Sequence, residues 1–289
     1  MAVMKLKQSK TGTAHSVGGD VLILLILIAV GAFMMLPFVY SIVQSLKPVE
    51  EIFAYPPKFF VRNPTADNYK SLSQLVDSLW IPFGRYLINS VIVTLVGTLG
   101  NVIICSMAAF ALAKYNFPGN KWLYNLVVFA LLFQGTVTAL PQYIIMSGLH
   151  MINTLWAVII PAVGTPLGLF LMKNFMTQIP DSVIEAATVD GAGILRIFFR
   201  VCMPLVKPAV LTLIIFCFQS LWNSTGGSYI YEEEWKLLPT ILADVASSGM
   251  ARMGAASAAS VLMMLPPCIL FIAMESRIVE TMAFSGIKG

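Results

Sequence analysis

Charged residues make up 11% of this 289-residue chain, with only two histidines and four cysteines, and they form no recognisable catalytic set. Cys105, Cys202, Cys217 and Cys268 sit in or beside apolar runs without CxxC spacing, which suggests small buried hydrophobes rather than a disulfide framework or a zinc site. His150, at a polar dip, reads as a solvated histidine and not as a metal ligand or proton relay. There is no P-loop, so the chain binds no cofactor of its own and any ATP and Mg are handled by a partner. The stretch whose residues could do chemistry is Ile179 to Pro208. Pro180 and the acids after it suit a helix start and Gly191 a helix end, giving about three turns. A second helix follows, with Ile194, Ile197, Phe198 and Val201 on one face and Arg196 and Arg200 on another. Glu185 and Asp190 could pair with the Arg or Lys of another protein, and small Ala186, Ala187 and Ala192 would let it come close. The same residues also fit an amphipathic loop lying on a bilayer.

The elements that must carry this segment are apolar. Hydrophobic residues make up 58% of the chain, outside the usual globular balance, and the bilayer becomes the expected solvent. Val21 to Leu46, Tyr86 to Ala113, Trp122 to Met172, Pro208 to Tyr231 and Met253 to Met274 each lack Asp, Glu, Lys and Arg. A hydrocarbon core needs roughly 20 helical residues. Trp122 to Met172 would run to about 75 Å and must cross twice. Its break is expected at Ser147 to His150, with Asn153 and Thr154 capping the returning helix. The fold class is therefore an all-α membrane protein with six transmembrane helices, near 21–44, 86–113, 122–146, 154–173, 208–230 and 253–275, after a tail at 1–20. Lys5, Lys7 and Lys10 before an apolar run would also suit a signal peptide. That run is longer than a typical h-region, lacks a small-x-small site and continues through Pro37 to Tyr40, so a retained helix is expected.

Positive residues orient the spans. With both termini inside, the cytoplasmic side holds Lys5, Lys7, Lys10, Lys114, Lys121, Lys173, Arg196, Arg200, Lys207, Arg277 and Lys288, eleven of the eighteen basic residues. The net charge of +4 is thus a topology signal and not a sign of nucleic-acid binding. Lys47 to Arg85 reads as an irregular external loop, and Lys114 to Lys121 as a tight cytoplasmic turn around Pro118-Gly119.

Polar residues inside spans are expensive unless they face protein or a water-filled path. Gln134, Gln219 and Asn223 are candidates for a translocation surface, and Trp222 and Tyr229 could offer stacking faces to sugar rings. Interhelical hydrogen bonding explains each of them equally well singly. Pro141, Pro161 and Pro166 interrupt spans three and four as kinks or hinges.

The order Glu185-Ala186-Ala187, Asp190-Gly191-Ala192, Pro204-Leu205 and Pro208 closely resembles the EAA motif of ABC importer permeases. The likeness covers nearly the whole chain and is greatest to the carbohydrate branch, the smaller, MalG-like permease of maltose-type importers. Ala109 to Ala113 with Phe117-Pro118-Gly119, Leu140-Pro141, Trp222-Asn223 and Leu238-Pro239 resemble that family's blocks. The closing Phe284 to Gly289 departs at Ser285 and Ile287, and the acidic Glu232 to Glu234 region departs further.

The resemblance implies a subunit paired with a second permease, an ABC ATPase dimer beneath, and an extracytoplasmic substrate-binding protein outside, in the plasma membrane. It makes 179–208 the EAA loop, with a coupling helix around Glu185 to Ala192 between spans four and five. It implies a carbohydrate cargo, with an osmolyte, peptide or glycerol phosphate as the alternative. An ion-coupled carrier would need acids within its spans, which are absent away from the edges. A membrane scaffold that merely recruits a partner is the third reading.

Overall fold

The computed structural model describes residues 17–77, 81–133, 135–247, 249 and 252–285. Regular structure among them is entirely helical. Four helices are long and apolar enough to cross a membrane, and up to six crossings result if each of two bent helix pairs is one span.

Helix α1 (Val17–Ser45) is continuous through Pro37. None of its most apolar window is buried, and it packs chiefly on α14 (Met253–Ser285). Its lipid-like surface accounts for the exposed Leu22 to Ile28.

Between α1 and α4 (Phe83–Lys114) the sequence reading expected irregular structure. The chain instead forms a one-turn α2 (Val49–Ile52) and an amphipathic α3 (Asp67–Asp77). Leu72 and Val76 of α3 are buried with Ile241 and Leu242 of α13 (Leu238–Ser247) and with Ala258 of α14. Buried Asn68 fixes this cap to α1 by donating to the Ser45 and Lys47 carbonyls, at 2.8 and 2.7 Å.

The centre of the bundle is α4. It packs against α7 (Trp156–Val163), α8 (Pro166–Thr177) and α12 (Lys207–Trp222). The third apolar stretch is broken: α5 (Asn120–Ala130) and α6 (Gly135–Gly148) lie 113° apart. The expected break after Ser147 is present: α6 ends at Gly148 and His150 takes a positive φ of 56°.

The expected cap on the returning helix is not formed. Thr154 donates to the Met151 carbonyl, and Asn153, at φ 59°, turns its side chain to the Tyr231–Glu232 backbone. A longer-range partnership has taken that side chain from the local role.

The break between α7 and α8 is a satisfied kink. Pro166 leaves the Ala162 carbonyl without its helical donor. Asn101 of α4, fully buried, donates to that carbonyl at 2.6 Å and to the Thr165 hydroxyl at 2.9 Å. Thr165 in turn caps α8 by accepting from Gly168 N–H. Neighbouring side chains thus restore what the proline removed, as a lipid-embedded backbone requires.

Candidate coupling surface and translocation cavities

Helix α9 (Asp181–Val189) follows α8 after a three-residue corner, Gln178 to Pro180, and the extended backbone of Pro180 (φ −61°, ψ 137°) precedes the first turn. Proline has no N–H to leave unpaired there, and Asp181 places negative charge at the positive end of the helix. Lys114, the last residue of α4, donates to the Ile179 carbonyl and to Asp181 Oδ1. One ammonium therefore holds both sides of the α8–α9 corner.

The far end of α9 is closed by two backbone bonds. Gly191 N–H donates to the Thr188 carbonyl and Ala192 N–H to the Ala187 carbonyl, each at 3.0 Å. This is a Schellman closure. It requires a left-handed residue, supplied by Gly191 at φ 76°.

The six motif residues divide between two faces. Glu185, Ala186, Asp190 and Gly191 are exposed. Ala187 and Ala192, with Ile184, pack on a core built from Phe110 of α4, Met176 of α8 and Ile197, Phe198 and Cys202 beyond. Small side chains at 187 and 192 thus let α9 lie close on its own chain, and Glu185, Ala186 and Asp190 are what it presents outward.

The second half of the segment differs from expectation. After α10 (Ile194–Ile197) the chain takes a π-helical turn at Phe198–Cys202 before α11 (Met203–Leu205). Ile197 and Phe198 are buried, while Ile194 is 60% exposed and leaves the apolar face assigned to it. The wider turn interrupts the regular helical spacing only from Phe198 onward, between buried Phe198 and half-buried Val201. The stretch Ile194–Leu205 then meets α12 at 83°.

Of the translocation candidates, Gln134 lies outside the described residues. Gln219 and Asn223 line a cavity of about 940 Å³ between α1, α12, α13 and α14. Its walls are mostly apolar, with Phe38, Phe218 and Phe271 among them. Asn223 also borders a second cavity of about 360 Å³, together with Tyr229 and Gln142. Gln142 was missed by the sequence reading although it is a polar residue in an apolar stretch, the same signal that selected the others.

Trp222 is elsewhere. It is 5% exposed, donates from Nε1 to the Met263 carbonyl at 3.0 Å and stacks on Phe218 at 6.1 Å, so its ring joins α12 to α14. Tyr229 stacks on Tyr143 at 6.4 Å.

The acidic region is strapped onto the helix bundle. Asn89 of α4 donates to the Glu234 and Lys236 carbonyls at 2.8 and 3.1 Å, and Asn153 holds the Tyr231 and Glu232 amides. Arg85 lies over the Trp235 ring at 5.4 Å. These partners are far apart in sequence, so no local pattern announces them.

Several helices long and apolar enough to cross a membrane, polar-edged cavities between helices and an anchored surface elbow are the features of a multi-pass membrane protein. The chain belongs to the family described as the binding-protein-dependent transport system inner membrane component, which matches residues 100–283. In such transporters the ATP hydrolysis belongs to a partner subunit.

The chain is 29% identical to Protein LplC of Bacillus subtilis over 286 residues, covering 93% of this chain and 95% of that protein. It is 32% identical over 215 residues to the polygalacturonan/rhamnogalacturonan transport system permease protein YtcP of the same organism, covering 73% and 72%. The arabinooligosaccharides permease AraQ of Halalkalibacterium halodurans is 28% identical over 227 residues, covering 78% of this chain and 80% of that one.

The fold is shared with a bacterial ABC transporter involved in the import of the acidic polysaccharide alginate. That match has a TM-score of 0.75 at 20% identity and covers 92% of this chain and 99% of the other.

Proposed function

We propose that the chain is the permease subunit of an ATP-driven importer that carries a carbohydrate, an oligosaccharide in particular, across the plasma membrane. It crosses six times with both termini cytoplasmic. A second permease completes the path, an extracytoplasmic binding protein delivers the solute, and an ABC ATPase dimer, holding ATP and Mg, docks on α9. The carbohydrate class rests on relatives such as YtcP and AraQ, whose names describe saccharide transport.

The observation that carries the coupling role is the division of α9. A helix of only nine residues presents Glu185, Ala186 and Asp190 outward while Ala187 and Ala192 hold it on the core. A free loop would absorb a push by bending. This helix is closed by Gly191, pinned by Lys114 and packed on α4 and α8, so displacement of its outer face moves the bundle.

Solute passage is assigned to Gln134, Gln219, Asn223 and Tyr229, with Trp222 fixing the wall from behind. Amides exchange hydrogen bonds with hydroxyls, and aromatic faces accept the apolar C–H faces of sugar rings.

Deletion and reconstitution test the proposal. Removing the chain should abolish ATP-dependent oligosaccharide uptake, and the purified chain alone in vesicles should carry nothing. Normal saccharide uptake with loss of another solute would refute the cargo, and gradient-driven flux by the chain alone would refute the coupling.

A further inference from the structure

We propose that Lys114 is a positioning residue for energy coupling: its ammonium ties the α8–α9 corner to the end of α4 and carries displacement of α9 into the centre of the bundle. This inference rests on the reading of α9 as the ATPase dock.

Lys114 ends α4, where a lysine ordinarily reaches solvent beside the negative end of the helix. Here only 5% of its side chain is exposed. Its Nζ leaves the α4 carbonyls and bonds instead to the Ile179 carbonyl, just before Pro180, and to Asp181 Oδ1 at 2.8 Å, just after it. Pro180 offers no N–H with which the corner could hold itself. Asp181 is 79% exposed, so the carboxylate alone would be weakly held; the buried ammonium and the Ile179 carbonyl form the enclosed part of the contact.

The other end of the tie is α4, which packs on α7, α8 and α12. Through Asn101, α4 also holds the carbonyl freed at the α7–α8 kink. Packing on Phe110 and Met176 positions α9 laterally, but apolar surfaces slide more readily than a bonded ammonium does. Lys114 is therefore the directional link between α9 and the helix that contacts most of the permease core.

The test uses the assembled transporter, with its partner permease, ATPase and binding protein, in proteoliposomes. Three quantities are read: solute carried per ATP hydrolysed, co-purification of the ATPase, and hydrogen exchange of the α9 amides. Lys114→Met should retain the ATPase, speed exchange across 181–190, and lower solute per ATP about tenfold, the equivalent of one charge-assisted hydrogen bond. Lys114→Arg should recover most of the loss. Should Lys114→Met fail to reach the membrane, Asp181→Lys sets a like charge against the ammonium and should give the same drop.

A wild-type ratio in Lys114→Met or Asp181→Lys overturns the proposal, as does an Arg variant no better than Met. Failure of the underlying reading looks different. Glu185→Lys would then leave both ATPase co-purification and coupling intact, and any loss in Lys114→Met would not be a loss of coupling through α9.

Discussion

Ala192 donates its backbone N–H to the Ala187 carbonyl at 3.0 Å, bending the chain back on α9 while both small side chains press on the bundle core. The motif residues are thus partly an exposed face and partly the means of holding that face still. Gly191 makes the closure possible.

Gly191 sits at φ 76° with open space where a Cβ would stand, so a substitution there is opposed by backbone conformation and not by crowding. Gly191→Ala should cost about 1–2 kcal/mol at the closure. Gly191→Asn should cost less, because asparagine tolerates the left-handed region. Proline, with φ fixed near −65°, cannot form the turn at all. Transport per ATP in reconstituted complexes should fall in the order Gly, Asn, Ala, Pro, with membrane insertion unchanged; a proline variant that couples normally would show the turn to be dispensable.

Asn101 is predicted to matter for stability. Asn101→Leu would strand the Ala162 carbonyl inside the bundle, at a cost of about 1–3 kcal/mol. Unfolding of the purified protein by a denaturing detergent should shift by that amount, whereas Thr177→Ala, which loses an exposed hydroxyl bond to Lys173, should shift little.

The strap on the acidic region has a single-residue test. Asn153→Gly keeps the backbone free to hold φ 59° and removes only the side chain that binds Tyr231 and Glu232. Amide exchange should accelerate across 230–236 and stay unchanged in α9. Equal acceleration in both regions would mean general loosening instead.

Acid should loosen the segment between α2 and α3. The Arg62 backbone N–H, and after it that of Asn63, holds the Glu51 carboxyl below its ordinary value, each at 3.0 Å. A depressed folded value means the contribution is present above the unfolded value and is lost as pH falls through the folded one. Protection from exchange at Arg62 and Asn63, referred to their intrinsic rates at each pH, should fall on acidification through that range. Glu51→Gln should remove the dependence.

Much of this architecture was legible because membrane constraints are blunt. The charge-free stretches marked the apolar helices, the Ser147 to His150 dip marked a helix end, and Pro180 and Gly191 bracketed α9. What escaped depended on distant partners or broken periodicity. Asn153 reads as a local cap until Tyr231 and Glu232 arrive from 78 and 79 residues away. Ile194 opens α10 exposed while Ile197, three residues on, is buried, although their spacing puts them on one face, and the π-helical turn at Phe198–Cys202 then interrupts that spacing toward Val201. Leu72, Leu75 and Val76 carried a helical spacing in the outer loop, but the Pro and Asn punctuation before them favoured irregular structure.

The central claim is that the outer face of α9 meets the ATPase, and cross-linking from position 186 tests it most directly. Ala186 is exposed between Glu185 and the inward-facing Ala187, so a photo-reactive side chain there samples whatever covers that face without disturbing the core. In the assembled transporter the product should contain the ATPase subunit, and its yield should change when ATP is added. Cross-links confined to lipid or to the partner permease would contradict the account.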